Sequence, residues 1–401
     1  MKNCSFASPT KLEIGRDAEN KTGRLIRERN GSRVLIHYGS GRVRESGLLG
    51  RVEESLREAD LTWVELGGVQ PNPRLSKVYE GIELGRRERI DFILAVGGGS
   101  VIDSAKGIAM GIPYDGDVWD FYDAVNGKPK AVPAVSMPIG VVLTLAASGS
   151  EASNSSVLTR EEGKLKRFCD NDLNRPVFAV ENPELTFSLP AYQTACGIVD
   201  ILSHSAERYF TCEKTGNPLT DRLCEAVFLT CLECGRTLME NPCDYEARAA
   251  VMLASSLSHN GLTGIGRTGD WATHMIEHEL SGEYDLAHGA GLAMIMPAWM
   301  KYVYRENITL FLKFATRVMG VENDWEHPES VALEGIRRLE GFFESLGLPT
   351  RLGDTPLTTG IDGDTIVRMA RRVRAAREDG SIGWLKRLKE NDVAEIYRLA
   401  L

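Results

Sequence analysis

The stretch DFILAVGGGSVIDSAKGIAM, residues 91–110, joins a short apolar run, three glycines and an apolar recurrence at helical spacing. The run DFILAV predicts a buried strand, and the spacing after it predicts a helix. Gly97, Gly98 and Gly99 would form the turn between them, where backbone amides and the helix dipole attract a phosphate group. An ordinary tight connection between strand and helix has the same glycine pattern, so the triplet indicates phosphate binding without requiring it.

Ser100 and Asp103 have the spacing of a capping box, which predicts that the helix begins there. Further short β-rich runs alternate with helical stretches on both sides of this segment. They are RVLIHY at 33–38, LTWVEL at 61–66, AVPAVSMP around Val135 and PVFAV at 176–180. This alternation predicts a parallel sheet covered by helices.

After Leu189 the pattern changes to helical periodicity with almost no strand-like run. Residues 311–320, 328–347 and 364–377 have the apolar spacing of amphipathic helices. We therefore predict an α/β domain over residues 1–189 and an all-helical domain over residues 190–401.

The amino-acid composition limits the classes of protein to which the chain can belong. The chain has 401 residues, of which 43% are hydrophobic and 26% charged, with a formal net charge of −9. These values are typical of a folded globular protein and give no basic surface for nucleic acid. The N-terminal residues lack an apolar signal-peptide stretch, and prolines interrupt the most apolar window, residues 131–149. We expect a cytoplasmic protein without a membrane or nucleic-acid partner.

The eight cysteines have irregular spacings, which favours reduced thiols over a disulfide framework. Cys231 and Cys234 form a C-x-x-C pair, but no second pair with metal-ligand spacing follows. Their segment has helical periodicity, so we interpret both thiols as residues on a helix face.

A second glycine stretch, Gly39, Ser40 and Gly41, follows the first predicted strand. It lacks the third glycine of the dinucleotide fingerprint, because Arg44 stands at that place. An acidic residue after such a strand usually binds the ribose of a cofactor without a 2′-phosphate, whereas here Arg42 and Arg44 follow. The pattern favours NADP over NAD, unless both arginines are ordinary solvated surface residues.

Three of the seven histidines fall within fifteen residues, at His274, His278 and His288. Asp200 and His204 are four apart, so on a helix both would point from one face, as would the first two histidines of the cluster. A carboxylate with several imidazoles suits divalent iron or zinc, and an open coordination position would make the ion a Lewis acid. This spacing does not decide which of His274 and His278 binds the metal.

One competing interpretation uses some of the same residues. His274, Glu277 and His278 satisfy H-x-x-E-H, a pattern of zinc hydrolases in which the glutamate activates water. That interpretation explains neither the glycine loop nor Asp200 and His204.

Several motifs, in this order, resemble the iron-containing, or group III, alcohol dehydrogenases, and within them the branch of NADP-dependent butanol dehydrogenases and aldehyde reductases. The resemblance spans nearly the whole chain. The motifs are GGGSVIDSAK at Gly97, LTLAASGSEAS at Leu143, PVFAV with the following SLP, GIVDILSH, and NGLTGIGRTGDWATHMIEHEL running to AHG at His288.

The resemblance implies a Rossmann-like dinucleotide-binding domain and a helical metal-binding domain, with the active site in the cleft between them. It also implies hydride transfer between NADP(H), or possibly NAD(H), and a small primary alcohol or aldehyde, by a homodimer. The family's metal ligands, for Fe²⁺ or Zn²⁺, correspond to Asp200, His204, His274 and His288. His278 corresponds to the unligated histidine near the nicotinamide, which we expect to be catalytic.

The resemblance also assigns cofactor contacts. They fall on Gly39, Ser40, Arg42, Asn72, Gly97, Gly98, Gly99, Ser100, Asp103, Thr144 and Lys166. The chain departs from the branch at Gly39–Arg42, where the branch has a longer glycine run. It also departs at Glu277, whose carboxylate beside the metal histidines would tune their basicity.

A lyase of the dehydroquinate synthase type has a similar architecture and also uses a metal and NAD. Its sugar-phosphate substrate would require a cluster of basic residues, which the sequence does not reveal. We keep it as the alternative function.

Overall fold

The computed structural model describes residues 1–125, 128–213, 217–373 and 375–401. Within them the chain divides into a sheet unit and a helical unit. The sheet unit consists of Ser8–Leu189 and Arg248–Ser256, and the helical unit of Met1–Ala7, Pro190–Ala247 and Leu257–Leu401. Within the sheet unit, the hydroxyl groups of Ser255 and Ser256 donate to the buried carboxylates Glu151 and Glu181.

The described residues form ten β-strands. They are β1 (Lys11–Ile14), β2 (Arg33–Tyr38), β3 (Thr62–Leu66), β4 (Phe92–Gly97), β5 (Ala124–Val125), β6 (Lys128–Pro129), β7 (Ile139–Leu143), β8 (Ser155–Arg160), β9 (Leu165–Asp170) and β10 (Phe178–Glu181). Six of them make one fully parallel sheet in the order β1-β10-β7-β4-β2-β3. The strands β5 and β6, and β8 and β9, form two antiparallel pairs.

The described residues also form fourteen α-helices. They are α1 (Thr22–Arg27), α2 (Arg42–Glu45), α3 (Leu48–Glu58), α4 (Leu75–Glu88), α5 (Gly99–Gly111), α6 (Ala191–Tyr209), α7 (Pro218–Glu240), α8 (Tyr245–His259), α9 (Ala272–Tyr284), α10 (His288–Val303), α11 (Ile308–Arg317), α12 (Pro328–Ser345), α13 (Gly363–Arg372) and α14 (Glu390–Leu399). None of the described helices is both long and apolar enough to cross a membrane.

The central strand β4 shows why the sheet is buried on both faces. Its alternate residues Ile93 and Ala95 belong to the apolar core that contains α5. Phe92, Leu94 and Val96 point the other way, into the core that contains α3. Side chains of a strand alternate between faces, and a parallel strand covered on both sides is apolar throughout. This is the reason that DFILAV has no polar residue after its first position.

The predicted organisation, an α/β part followed by a helical part, is confirmed. The strands predicted at 33–38, 61–66, 91–96 and 176–180 correspond to β2, β3, β4 and β10. The strand predicted around Val135 is wrong, because residues 131–138 are irregular and β7 begins at Ile139. Pro133 and Pro138 have no amide hydrogen to donate to a ladder, which explains why the strand begins only after them.

The predicted capping box is also wrong. Helix α5 begins at Gly99, with Gly98 as its N-cap and no side-chain cap. The Asp103 carboxylate instead accepts hydrogen bonds from Ser150 Oγ at 2.6 Å and from the Val157 amide at 3.0 Å. Asp103 therefore joins α5 to β8 rather than capping its own helix.

In the helical unit, α10 packs against both α6 and α9. The three amphipathic segments predicted after residue 310 correspond to α11, α12 and α13, although α13 ends at Arg372. Cys231 and Cys234 lie in α7, as predicted, and burial raises the pKa of both thiols.

Candidate functional site

The carboxyl ends of three neighbouring strands in the sheet unit carry predicted cofactor residues. Gly39 follows β2, the segment Gly98–Ser100 follows β4, and Thr144 follows β7. Strand β4 pairs with both of the others, and the Thr144 amide donates to the Gly97 carbonyl at 3.1 Å. The chain moves from β2 outward to β3 and then returns to β4 on the other side of β2. Ligands of open parallel sheets bind where the strand order reverses in this way.

The glycines of this turn are required for space. A Cβ atom on Gly99 would lie 2.3 Å from Ser148 Oγ, and one on Gly98 would lie 3.0 Å from the Leu145 Cβ. The N-cap of α5 is Gly98, which has no side chain to cap the first turn. Its leading amides can therefore serve an anion, as at other helix N-termini.

Asn72 and Lys166 are brought together by the β8–β9 hairpin. The Thr159 amide donates to the Pro73 carbonyl at 2.8 Å, and Thr159 is paired with Lys166 across the ladder. Asn72 has a left-handed backbone, with φ of 53°, and both side chains are buried. The hairpin is attached to α5 through the Asp103 bond described above, which links these residues to the glycine turn.

The two arginines predicted to receive a 2′-phosphate lie in the short helix α2. Arg44 forms an ion pair with Glu65 of β3, with 2.5 Å between nitrogen and oxygen, and lies 3.7 Å from Glu53. Arg42 is exposed at the start of the helix, beside the Gly39–Gly41 turn. Because carboxylates already surround Arg44, Arg42 is the better placed of the two to meet a phosphate.

In the helical unit, three helices bring four predicted ligands to one point. Asp200 and His204 are one turn apart on α6, His274 lies on α9 and His288 is the first residue of α10. Asp200 Oδ1 lies 3.6 Å from His204 Nδ1, 3.8 Å from His274 Nε2 and 3.7 Å from His288 Nε2. The predicted ligand set is thus assembled around one carboxylate oxygen.

These residues fit a divalent cation. Metal bonds of roughly 2.1 Å in a tetrahedral arrangement separate ligand atoms by about 3.4 Å, close to the observed spacing. Among the described residues, Asp200 Oδ1, His204 Nδ1 and His274 Nε2 are buried without a hydrogen-bond partner. Each such buried polar atom costs about 1–3 kcal/mol if it stays unsatisfied. One cation at their centre would satisfy all three atoms.

Two buried carboxylates hold the other nitrogens of the ligand histidines. Glu207 accepts from His274 Nδ1, and Glu277 accepts from His288 Nδ1. Donation from Nδ1 leaves the lone pair on Nε2, the atom that faces Asp200. Sequence analysis missed Glu207, although positions 200, 204 and 207 share one helix face and the spacing could have revealed it.

The charges of the cluster attract positive charge. Burial lowers the pKa of His274, but the neighbouring carboxylates Glu207 and Asp200 outweigh it and raise the pKa to about 9. For His204, burial and then the neighbouring His259 and His274 hold the pKa well below its usual value. The cluster therefore combines strong attraction for a cation with an imidazole that stays neutral, as metal binding requires.

The structure separates His274 from His278, which spacing alone did not. His274 Nε2 faces Asp200, whereas the His278 ring lies beside His288, with 5.7 Å between ring centroids. The H-x-x-E-H interpretation needs Glu277 to activate water, but Glu277 is fully buried and accepts hydrogen bonds from His288 and Ser281, which does not favour that role. Sequence analysis also missed His259, whose ring stacks on that of His204 at 4.1 Å.

Comparisons with known proteins identify the family. The family model "Iron-containing alcohol dehydrogenase" matches residues 9–183, and that of the "Fe-containing alcohol dehydrogenase family, C-terminal" matches residues 194–401. The chain is 39% identical to a probable NADH-dependent butanol dehydrogenase of Bacillus subtilis, over 100% of both chains. It is 34% identical to an NADPH-dependent aldehyde reductase of Escherichia coli, over 93% of both.

A solved structure gives the same result for the fold. The crystal structure of NADH-dependent butanol dehydrogenase A from Thermotoga maritima superposes with a TM-score of 0.93 at 37% identity, covering 100% of this chain and 99% of that one. The two family models together, and each of these relatives, span the sheet unit and the helical unit. The chain is an oxidoreductase and belongs to the iron-containing alcohol dehydrogenase family.

Proposed function

We propose that the protein is a metal-dependent alcohol dehydrogenase, or aldehyde reductase, that transfers hydride between NADP(H) and a small primary alcohol or aldehyde. The observation that carries the metal dependence is the convergence of three buried, unpartnered donor atoms from Asp200, His204 and His274. The names of the relatives, butanol dehydrogenases and an aldehyde reductase, support the substrate class.

The four ligands would hold Fe²⁺ or Zn²⁺ in the helical unit, and the bound ion would supply Lewis acidity toward the substrate oxygen. The dinucleotide would supply or accept the hydride, with its pyrophosphate held by the amides of Gly98–Ser100 and further contacts from Asn72, Thr144 and Lys166. His278 is buried beside His288 and lies outside the ligand set. We assign it the transfer of a proton between the substrate oxygen and solvent.

The preference for NADP(H) rests on the end of β2. No acidic residue stands between Gly39 and Arg44, and the exposed Arg42 can pair with a 2′-phosphate. NADH is the second candidate, because several relatives with 36–39% identity are named as NADH-dependent. The ion pair of Arg44 with Glu65 also reduces the positive charge that the helix offers to a phosphate.

One assay tests the activity. Purified protein, stripped of metal and reloaded with either Fe²⁺ or Zn²⁺, is mixed with a series of short aldehydes and either NADPH or NADH, and the absorbance of the reduced nicotinamide is followed. We expect oxidation of the nicotinamide that depends on both metal and aldehyde. A lyase or a hydrolase would leave that absorbance unchanged under all conditions.

The cofactor preference needs its own variants. Arg42→Ala should raise the KM for NADPH far more than the KM for NADH, since it removes the charge that meets the 2′-phosphate. Arg44→Ala is the matched control on the same helix and should change both KM values little. Equal weakening of both cofactors by Arg42→Ala would overturn the preference.

We also propose a homodimer, on the strength of the family resemblance alone. Light scattering during size-exclusion chromatography would give the mass in solution. A mass of a single chain, 44.2 kDa, would contradict it.

A further inference from the structure

Glu277, in the middle of α9, is a fully buried carboxylate that belongs neither to the glycine turn nor to the set of metal ligands. Its Oε2 accepts a hydrogen bond from His288 Nδ1, and its Oε1 accepts one from Ser281 Oγ. His288 is the first residue of α10, and its side chain is 24% exposed whereas the other three ligands are buried, so its own helix restrains it least. The Glu277 carboxylate supplies a restraint from the neighbouring helix.

Gly291 on α10 explains how this carboxylate fits. A Cβ atom at Gly291 would lie 2.5 Å from Glu277 Oε1, 2.8 Å from its Cγ and 3.0 Å from its Cδ. Glycine inside a helix costs about 0.5–1 kcal/mol relative to alanine, and Gly291 does not have the positive φ that favours glycine. The glycine is therefore needed for the volume of the Glu277 side chain, not for the path of the backbone.

We propose that Glu277 is the positioning residue for the metal ligand His288, and that Gly291 is the position that makes room for it. This inference rests on the metal centre of the proposed function. The carboxylate fixes the hydrogen on Nδ1, turns Nε2 toward Asp200 and makes that nitrogen a stronger donor to a cation. Removing such a partner typically weakens metal affinity by about 10- to 100-fold.

Glu207 has the same relation to His274, but it is a less suitable position for a test. Its Oε1 also accepts from the Thr273 amide at 2.6 Å, so it anchors the backbone at the start of α9. Replacement of Glu207 would disturb that helix together with the histidine. Glu277 accepts from the side chains of His288 and Ser281, and its replacement leaves the backbone hydrogen bonds within α9 and α10 in place.

The test measures metal binding by the full chain, stripped of metal and titrated with Co²⁺ under anaerobic conditions. The dissociation constant, the visible Co²⁺ spectrum and the rate of metal loss to a chelator are recorded for each variant. Glu277→Ala should weaken Co²⁺ binding by about 10- to 100-fold and alter the spectrum, whereas Glu277→Gln should weaken it less, because the amide oxygen still accepts from Nδ1.

Gly291→Ala tests the same contact without changing its chemistry. The atoms that the new methyl group meets belong to the flexible side chain of Glu277, so the carboxylate should move off His288 while the helices stay in place. We expect weaker Co²⁺ binding in this variant as well. The double variant Glu277→Ala with Gly291→Ala should bind no more weakly than Glu277→Ala alone, since the methyl group then occupies emptied space.

Two controls separate the possible failures. Gly341→Ala changes another helical glycine, with nothing within 4 Å of its added Cβ, and should bind Co²⁺ like the unaltered protein. If the unaltered protein binds no Co²⁺, or His274→Ala retains it, the proposed metal centre fails. If His274→Ala loses Co²⁺ but the Glu277 and Gly291 variants match the unaltered protein in affinity and spectrum, the inference alone is overturned. Should Glu277→Ala not fold, Glu277→Gln and Gly291→Ala decide the question.

Discussion

The candidate site at the carboxyl edge of the sheet and the imidazole cluster of the helical unit offer different chemical groups to a ligand. After β4 the groups offered to a ligand are backbone amides, and the side chains there are small because neighbours such as Ser148 leave no space. In the helical unit the groups offered are side-chain atoms from α6, α9 and α10, three of which have no hydrogen-bond partner among the described residues. The first site depends on the space left around its backbone, and the second on the identity of its donor atoms.

This difference decides which substitutions each site tolerates. A site built from backbone amides should be disrupted by an added methyl group, but it should tolerate a change in the chemistry of nearby side chains. A metal site should fail when one donor atom is removed, although the fold around it remains.

The removal of one ligand should have the largest effect. His274→Ala should abolish metal retention and lower turnover by at least about 1,000-fold, because the Lewis acid supplies several kcal/mol of stabilisation to the reacting oxygen. His278→Ala should keep the metal and lose mainly rate, by about 10²- to 10⁴-fold. Metal analysis beside steady-state kinetics measures both. Full metal and activity in His274→Ala would show that the ligand assignment is wrong.

One methyl group added at Gly99 should disrupt the glycine turn of the sheet unit. In Gly99→Ala the new Cβ meets Ser148 Oγ at 2.3 Å and its Cβ at 3.0 Å, which forces the turn away from its position. Overpacking of this kind costs about 1–3 kcal/mol, so the KM for the nicotinamide cofactor should rise about tenfold or more. Metal content should not change.

Gly50→Ala is the control, since nothing lies within 4 Å of its added Cβ. It should leave the cofactor KM unaltered. An unchanged KM in Gly99→Ala would mean that the turn does not hold the cofactor.

The contrast between the sites also explains what the sequence could predict. The strand, turn and helix around Gly97 follow one another in the chain, so local periodicity was sufficient to predict them. The capping box failed because Asp103 bonds to Ser150 and Val157, partners that no local pattern identifies. The strand predicted around Val135 is wrong because its apolar composition was given more weight than its two prolines, which have no amide hydrogens to donate to a sheet.

The metal cluster was predictable only in part. Helical spacing placed Asp200 beside His204. The choice between His274 and His278 depends on how α9 packs against α6, and sequence spacing gives no information on that packing. The family resemblance made that choice, and the distances to Asp200 agree with it. Glu207 shares the helix face of Asp200 and His204, so its spacing could have indicated it, whereas His259 reaches the cluster from α8 through tertiary packing.

The buried carboxylates of the two units should differ in their response to pH. Glu207 and Glu277 are paired with imidazoles, whereas Glu181 lies in the sheet unit near Glu151. The Ser256 hydroxyl lies 2.7 Å from Glu181 and 2.9 Å from Glu151, and its one hydrogen can serve one of them. Burial, and then the charge of Glu151, raise the pKa of Glu181 from 4.5 to about 8.

Glu181→Gln should therefore stabilise the protein at alkaline pH. Between about pH 4.5 and pH 8 the unfolded chain releases this proton while the folded chain keeps it, so the free energy of unfolding falls as pH rises. Glutamine has no proton to release, and the variant should gain at least about 1.4 kcal/mol at pH 8 relative to pH 5, the equivalent of one pKa unit. Denaturant unfolding at both pH values measures it, with the exposed Glu58→Gln as control. An equal difference between variant and unaltered protein at both pH values would contradict the raised pKa of Glu181.

The smallest effects should come from glycines that neither site uses. Gly341 lies within α12, and nothing lies within 4 Å of its added Cβ, so Gly341→Ala should raise the free energy of unfolding by up to about 1 kcal/mol through helix propensity. Gly335→Ala, in the same helix, should do the opposite and cost about 1–3 kcal/mol, because its Cβ would lie 2.6 Å from the Ala315 Cβ and 2.8 Å from its Cα. Denaturant unfolding measures both, and a gain in both variants would show that space does not govern these positions.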